Sequence, residues 1–466
     1  MTLLRPRDDA SDVGPDPGCA RCPGVPSVQD VYRTEIGDVL PAEFAEHWRY
    51  LGDDDIPKDR YTTKAFHDLE VERVWKRTWQ MACREDDLPN SGDTVVYEIA
   101  GLSVLVVRTP AGTVKAYWNS CLHRGTQLRS FDGTVPELRC QYHGWAWNLD
   151  GTFKDMPCAW DFAHVDRAQL CLPELAVDTW GGFVFVNPDL AAAPLAQQLA
   201  PMPDHFRRWP LGKRAKTVHV AKVFRANWKV AMAAFMEGYH VPTSHPQGLP
   251  ALADLNIQYD CYDQVSRILF MQGVPSPALP VELTQQEILD ATLQLAGIDA
   301  QIPLPEGMTA RAMLATLGRQ QLTDGLGLTL PDWADADLLD IIVYYAFPNL
   351  VIWAGYALPL VYRFRPYGDD PEMSVMEIMM LAPLPDDAEV PPPAEVQWLG
   401  PDDSFAAAPA LGPFLAPIFD QDQSNIVRNQ RGLRTSLRSG ITLSTYQESL
   451  VRHHDQVLDR YLRGDI

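Results

Sequence analysis

The sequence predicts a small all-β domain followed by a larger region that mixes helices and strands. Two observations carry this. From about residue 93, apolar residues alternate in short runs. TVVYEIAG, LSVLVVRT and VKAYWNS are separated by the turn signals Ala100-Gly101 and Pro110-Ala111-Gly112. Beyond residue 210 the period changes repeatedly. The alternating KTVHVAKVFRANW gives way to WKVAMAAFMEGYH (228–240), whose composition and 3.6-residue spacing predict a helix, and strands return over 340–382. A chain of 466 residues has room for two or more domains. We divide it into a lead-in (1–59), a β domain (60–165) and a larger domain (166–466).

Residues 1–30 are rich in Pro, Gly and Asp and are expected to be mobile. Cys19-x-x-Cys22 lies there, with no second CxxC to complete a metal site. Residues 36–51 and 66–78 read as helices, the second with Leu69, Val71, Val74 and Trp75 on an apolar face. The strands from 93 onward then form a β-meander. WAWNLDGTF adds a strand with an Asp150-Gly151 turn, and TWGGFVFVNP (179–188) another. His219 falls within the strand KTVHVAKVFRANW and reads as a packed or solvated side chain. Residues 246–335 combine Pro-rich loops with short helices, QQEILDATLQLAG and TARAMLATLG. Such an insertion either frames a substrate entrance or decorates the surface. Met373, Met376, Met379 and Met380 read as core filling. A helix over about 442–463 closes the chain, and its adjacent His453 and His454 read as solvated.

Charge excludes some functions. Lys and Arg number 39 against 61 Asp and Glu, a net charge of −22. This opposes binding to nucleic acid or to an anionic membrane surface. No run of 18 apolar residues spans a membrane, and the N-terminus lacks the apolar stretch of a secretory signal. The expected location is the cytoplasm, with the scattered cysteines as reduced thiols.

Two short clusters carry the chemistry, Cys121-x-His123 and Cys140-x-x-His143, sixteen residues apart. Each supplies one thiolate and one imidazole. Zinc accepts a Cys2His2 set. A [2Fe-2S] cluster with two thiolates on one iron and two imidazoles on the other needs the same four residues. Zinc fingers group Cys with Cys and His with His, whereas here each loop carries one of each, as a two-iron cluster requires. A glycine follows each histidine closely (Gly125, Gly144) and lets backbone approach the cluster. Trp145 and Trp147 would shield it from water. The stretch resembles the C-x-H-R-G…C-x-x-H-G-W-x-W signature of the Rieske domains of ring-hydroxylating, non-haem iron oxygenases.

A second signal is Glu237-Gly-Tyr-His240-Val-Pro-Thr-Ser-His245. Two histidines straddle Pro242, where the helix is expected to end, so both can reach one metal. Non-haem Fe(II) sites need two histidines and one carboxylate on one face. The segment is similar to the mononuclear-iron motif of Rieske oxygenase alpha subunits. Residues 419–435, FDQDQSNIVRNQRGLRT, resemble the family's Q-D-x-x-N-x-x-x-x-Q-R-G segment. The match implies that Asp422 is the carboxylate ligand, with Asp420 its nearby competitor. It also implies that Glu237 bridges the two centres, touching His143 of a neighbouring subunit and its own His240. One departure stands out: relatives often carry Glu-Asn where this chain has Ala233-Ala234.

The resemblance implies an α+β protein, with an N-terminal all-β Rieske [2Fe-2S] domain and a helix-grip-like mononuclear iron domain whose antiparallel sheet wraps a long helix. It implies a homotrimer or larger ring, and a reductase or ferredoxin that supplies electrons from NAD(P)H. Fe(II) held by His240, His245 and Asp422 would use O2 as co-substrate to hydroxylate, dihydroxylate or demethylate a small molecule. Phe235, Met232, Met236 and Trp353 suggest an apolar pocket and hence an aromatic or bulky apolar substrate. The alternative substrate is a small quaternary amine of the carnitine or betaine kind. A Rieske electron carrier without oxygenase activity and a cluster-based redox sensor are the rivals from other classes.

Overall fold

The computed structural model describes residues 22, 24–331, 333–385 and 387–466. The expectations for Cys19 and for mobility of the first 21 residues lie outside them. The chain forms two compact units. One comprises the chain to His67 with Gln198–Pro366 and Asp370–Ile466, and the other is Asp68–Gln197 with Tyr367–Asp369.

In the smaller unit, the strands Asp93–Ile99, Leu102–Arg108 and Val114–Trp118 form the antiparallel meander read from the sequence. The hairpin Glu174–Trp180/Phe183–Asn187 pairs on one side with Val114–Trp118 and on the other with Gln80–Arg84, and the short strand Gly133–Thr134 pairs with Asp93–Ile99, completing a seven-stranded sheet. These strands belong to the compact unit that runs on to Gln197. A separate three-stranded sheet (Leu138–Arg139, Ala146–Trp147, Phe153–Asp155) holds the second ligand loop. Leu105, Val107, Tyr117, Leu138 and Trp147, none above 0% exposed, close the core between the two sheets.

The larger unit is built on eight strands in the order Gln258–Cys261, Val265–Phe270, Ile341–Ala346, Leu350–Ala354, Leu360–Pro366, Ser374–Pro383, Arg214–Phe224, Gln397–Leu399. Every pairing is antiparallel except the last, which is parallel. Helix Trp228–Ala233 packs on the strands Leu360–Pro366 and Ser374–Pro383, and the 24-residue helix Gly412–Thr435 packs against it. Met376 and Met379 are buried in this sheet. The helices Gln285–Leu295 and Ala310–Gln320 lie where the two short helices were expected, each N-capped by a threonine side chain. Their whole segment is an excursion between two strands that are direct neighbours, with Phe270 paired to Ile341.

Two expectations are corrected. Residues 36–51 are not a helix; the helix is Val28–Ile36, opened by a Ser27–Asp30 capping box. The following carbonyls are claimed from afar. Gln29 Nε2 donates to Phe44 O (2.7 Å) and Arg267 Nη2 to Ala45 O (2.6 Å), in place of i+4 amides. The Phe44 ring lies edge-on to Tyr32 and Trp209. Nor are His453 and His454 solvated: they are 3% and 8% exposed. The terminal helix Ser449–Arg463 is packed on nearly every side, so adjacent positions are both covered. Their Nε2 atoms lie 2.8 Å from Tyr262 O and 2.9 Å from Pro348 O.

Burial lowers the pKa of these imidazoles, to about 3 for His453 and to about 4 for His205, and in the same direction for His454. Each is neutral in the fold and takes a proton on unfolding below about pH 6.5. The unfolded chain therefore binds more protons, and stability falls as pH drops from about 6.5, by up to ~1.4 kcal/mol per pH unit per fully buried histidine. Thermal melting between pH 7.5 and 5 is expected to show this decline, and His453→Gln to flatten it.

Candidate metal centres

The cluster loops are built alike. In the first, Gly125 N–H donates to Cys121 O (2.9 Å) and Cys121 N–H to Thr126 O (2.8 Å). In the second, Gly144 N–H donates to Cys140 O (3.0 Å) and Cys140 N–H to Trp145 O (2.9 Å). Both turns need a left-handed residue, and Gly125 (φ 78°) and Gly144 (φ 75°) supply it. The loops bring all four residues to one place. The thiols are buried at 3% and 2% exposure, and the His123 and His143 rings meet edge to face at 4.6 Å. Burial pushes the Cys121 thiol up, and the adjacent Cys140 adds to it. Trp145 stacks flat on His123 at 4.9 Å, while Trp147 is fully buried and donates to Leu170 O. Two buried thiols and two partly exposed imidazoles from matched loops suit a two-iron cluster with its histidine side toward solvent.

The second centre departs from the predicted helix. Helix Trp228–Ala233 stops there instead of running to His240, and Pro242 lies inside a short helix, Val241–Ser244, instead of ending one. The groups freed by unwinding have partners from the sheet: Phe235 O accepts from Tyr345 Oη, and Gly238 N–H donates to Tyr259 Oη (3.1 Å). Gly238 sits close to its neighbours, since a Cβ there would lie 2.2 Å from Ile257 Cδ1, which would have to shift, and 3.1 Å from Asp254 O. The unwound turn brings Glu237 onto His240. Its Oε1 is 2.6 Å from Nδ1, and its Oε2 accepts the His240 backbone N–H at 3.0 Å.

His240, His245 and Asp422 converge, with donor atoms all within 4.8 Å of one another. Asp422 Oδ1 is 2.9 Å from His245 Nε2 and 3.6 Å from His240 Nε2. Asp420 is not part of the group; its carboxylate accepts from Ser404 Oγ (2.6 Å) and Phe405 N–H (2.8 Å). Each imidazole has its far nitrogen engaged, His240 Nδ1 by Glu237 and His245 Nδ1 by Gln421 Oε1 (2.7 Å). This leaves both Nε2 lone pairs for a metal. Burial opposes charge on His240, but the hydrogen bond and charge of Glu237, with Asp422 behind, raise its pKa. Two imidazoles and one carboxylate on one face fit Fe(II) with open positions.

Gln421 is the residue that sequence reading missed. It stands beside Asp422 in the same motif and also accepts from Gln247 Nε2 (3.0 Å). Gln421→Leu is expected to weaken iron binding about 10–100-fold, as read by chelator competition, with the cluster's visible absorption unchanged.

A cavity of about 340 Å³ opens onto His240, His245 and Asp422. Phe235 and Trp353 line it, with Phe270, Tyr362, Ile418 and Phe419. Met232 and Met236 do not; they belong to the packed core beneath the terminal helix. The insertion reaches the cavity through Thr292, Leu295 and Ala296.

Residues 206–464 match the model of the ring hydroxylating alpha subunit (catalytic domain), and residues 78–166 that of the Rieske [2Fe-2S] domain. The chain belongs to the ring-hydroxylating alpha subunit family. Its cofactors are accordingly a Rieske [2Fe-2S] cluster and a mononuclear iron. The carnitine monooxygenase oxygenase subunit of Escherichia coli (strain K12) is 30% identical over 220 residues, 45% of this chain and 56% of that protein. The anthranilate 1,2-dioxygenase large subunit of Acinetobacter baylyi is 29% identical over 204 residues, 41% of this chain and 42% of that protein. The matched stretch thus spans only about half the length of these relatives. Among solved structures, the quaternary ammonium Rieske monooxygenase CntA with L-carnitine aligns at TM-score 0.62 and 16% identity, covering 90% of this chain and 99% of that one. Naphthalene 1,2-dioxygenase from Rhodococcus sp. with indole aligns at 0.60 and 17%, covering 88% and 94%. At these identities the structures share the α+β fold. No helix among the described residues is long and apolar enough to cross a membrane.

Proposed function

We propose that the protein is the terminal oxygenase of a Rieske non-haem iron system, a mono- or dioxygenase acting on an uncharged aromatic or bulky apolar molecule. Electrons come from NAD(P)H through a reductase or ferredoxin. Cys121, His123, Cys140 and His143 hold the [2Fe-2S] cluster, and His240, His245 and Asp422 hold the mononuclear iron. The bound metals supply one-electron storage and O2 activation. The chain's own part is positioning. Glu237 and Gln421 each hold an imidazole N–H and so aim the opposite nitrogen at the metal. The apolar walls keep water from the reacting carbon. Glu237 bridges to His143 of a neighbouring subunit in a homotrimer or larger ring.

The observation that carries the substrate reading is the composition of the cavity. Its carboxylate and imidazole lining is confined to Glu237, His240, His245 and Asp422, and neither Lys nor Arg is among the described residues that line it. A carnitine- or betaine-like substrate would bring a carboxylate with no Lys or Arg side chain in the lining to meet it. The second reading, a quaternary amine, is favoured by the names of the similar oxygenases and by the aromatic faces of Trp353, Tyr345 and Tyr362, which can attract a cation.

The test is product analysis with a surrogate reductase, NADH and O2 across a panel of aromatic compounds and quaternary amines. Oxygenated aromatic products are expected. Turnover of carnitine or betaine alone would replace the first reading by the second.

A further inference from the structure

We propose that Gln272 and Thr292 place two hydrogen-bond acceptors in the insertion-side wall of the cavity, so that the substrate carries a donor, a hydroxyl or N–H, on its apolar skeleton. This rests on the oxygenase reading of the cavity.

The orientation of Gln272 is fixed by its partners. Its backbone N–H donates to Asp340 Oδ1 (2.9 Å), and its carbonyl accepts from Arg311 Nη1 (2.6 Å). Arg311 is itself held by Asp340 and Glu35. The side-chain amide therefore hangs from a pinned backbone. Its Nε2 lies 2.7 Å from Leu339 O. A carbonyl only accepts, so the nitrogen must sit there and the amide cannot be reversed. Oε1 is left without a protein partner among the described residues, on a side chain that lines the cavity.

Thr292 reaches the same polarity by another route. It sits on helix Gln285–Leu295, which turns Ile288, Leu289 and Leu293 toward the insertion's own core and presents Thr292 and Leu295 to the cavity. Its hydroxyl donates to Ile288 O at 2.7 Å. With the proton committed, only the oxygen lone pairs remain. The neighbouring lining is apolar, including Ile268, Phe270, Ile341 and Val343.

Two acceptors and no cation in an apolar wall select for a donor. A hydrocarbon would strip water from both and return nothing, and an anion would be repelled. A quaternary nitrogen has no N–H to offer.

Equilibrium dialysis of the full-length, iron-loaded protein tests this, with naphthalene as the apolar probe and 1- and 2-naphthol as hydroxylated ones. At least one naphthol is expected to bind about tenfold tighter than naphthalene. Thr292→Val and Gln272→Met should each shrink that ratio about threefold or more while leaving naphthalene affinity in place. Thr292→Ser should restore it. Thr292→Val is nearly isosteric and serves if the Gln272 variant is unstable. The assignment is overturned if the wild-type protein shows no preference for either naphthol, or if the ratio survives in Thr292→Val. If the preference holds but reductase and NADH yield no oxygenated product from any compound, the oxygenase reading fails and the acceptor assignment stands.

Discussion

Replacing Asp422 by alanine is expected to abolish turnover, by more than about a hundredfold, and to strip mononuclear iron while the cluster's visible absorption persists. The carboxylate is the one anion among the three donors, and Oδ1 lies within 3.6 Å of both Nε2 atoms. Its loss leaves two neutral imidazoles and no ligand charge to offset a divalent ion. Changes to groups that merely orient a ligand already cost about 10–100-fold, so removal of a ligand must cost more. Iron analysis beside the cluster spectrum separates the two centres. Retained activity would show that the donor set lies elsewhere, and a protein that stays oxidatively active without mononuclear iron would be an electron carrier.

Glu237→Gln probes a different link. The glutamate uses both oxygens on one residue, Oε1 on the His240 imidazole and Oε2 on its backbone N–H. Glutamine keeps the size but offers one oxygen and no charge. Both metals are expected to remain, because the glutamine oxygen can still accept the His240 Nδ1–H that Glu237 holds. Turnover should fall about 10–100-fold. In single-turnover stopped flow, the reduced cluster should reoxidise more slowly in the presence of substrate and O2. Loss of mononuclear iron with unchanged cluster reoxidation would make Glu237 a support for His240 and nothing more.

What the sequence could show followed from how locally each feature is encoded. The cluster loops were legible because each pairs its Cys and His within three residues, and the left-handed turn demands the glycine that follows. The mononuclear site was legible as a motif, but its geometry was not. WKVAMAAFMEGYH has every local mark of one helix, yet it unwinds after Ala233 because Tyr345 and Tyr259 satisfy its freed groups, and nothing nearby in sequence announces them. The same reason defeated the helix at 36–51, whose carbonyls go to Arg267 and Gln29. Gln421 was in plain view within the Q-D pair. Its role depends on which helix face meets His245, and spacing alone leaves that open. His453 and His454 were misjudged because adjacency separates two side chains by angle without deciding whether solvent or protein lies on each side.

The segment from Gln272 to Asp340 leaves and re-enters the sheet between two hydrogen-bonded neighbours, Phe270 and Ile341. Its ends are therefore fixed about 5 Å apart by strand spacing, whatever lies between them. Closure entropy grows only with the logarithm of loop length, about 0.6 kcal/mol per doubling. The sheet is thus a socket with a standard fitting. One cartridge can be exchanged for another of different length without disturbing strand register, the tyrosines that hold the unwound turn, or the three metal donors. The insertion's share of the cavity wall, Thr292, Leu295 and Ala296, can therefore change while the donors stay fixed, whereas Phe235, Trp353, Tyr362 and Phe419 come from the unwound turn, the sheet and the long helix that position them.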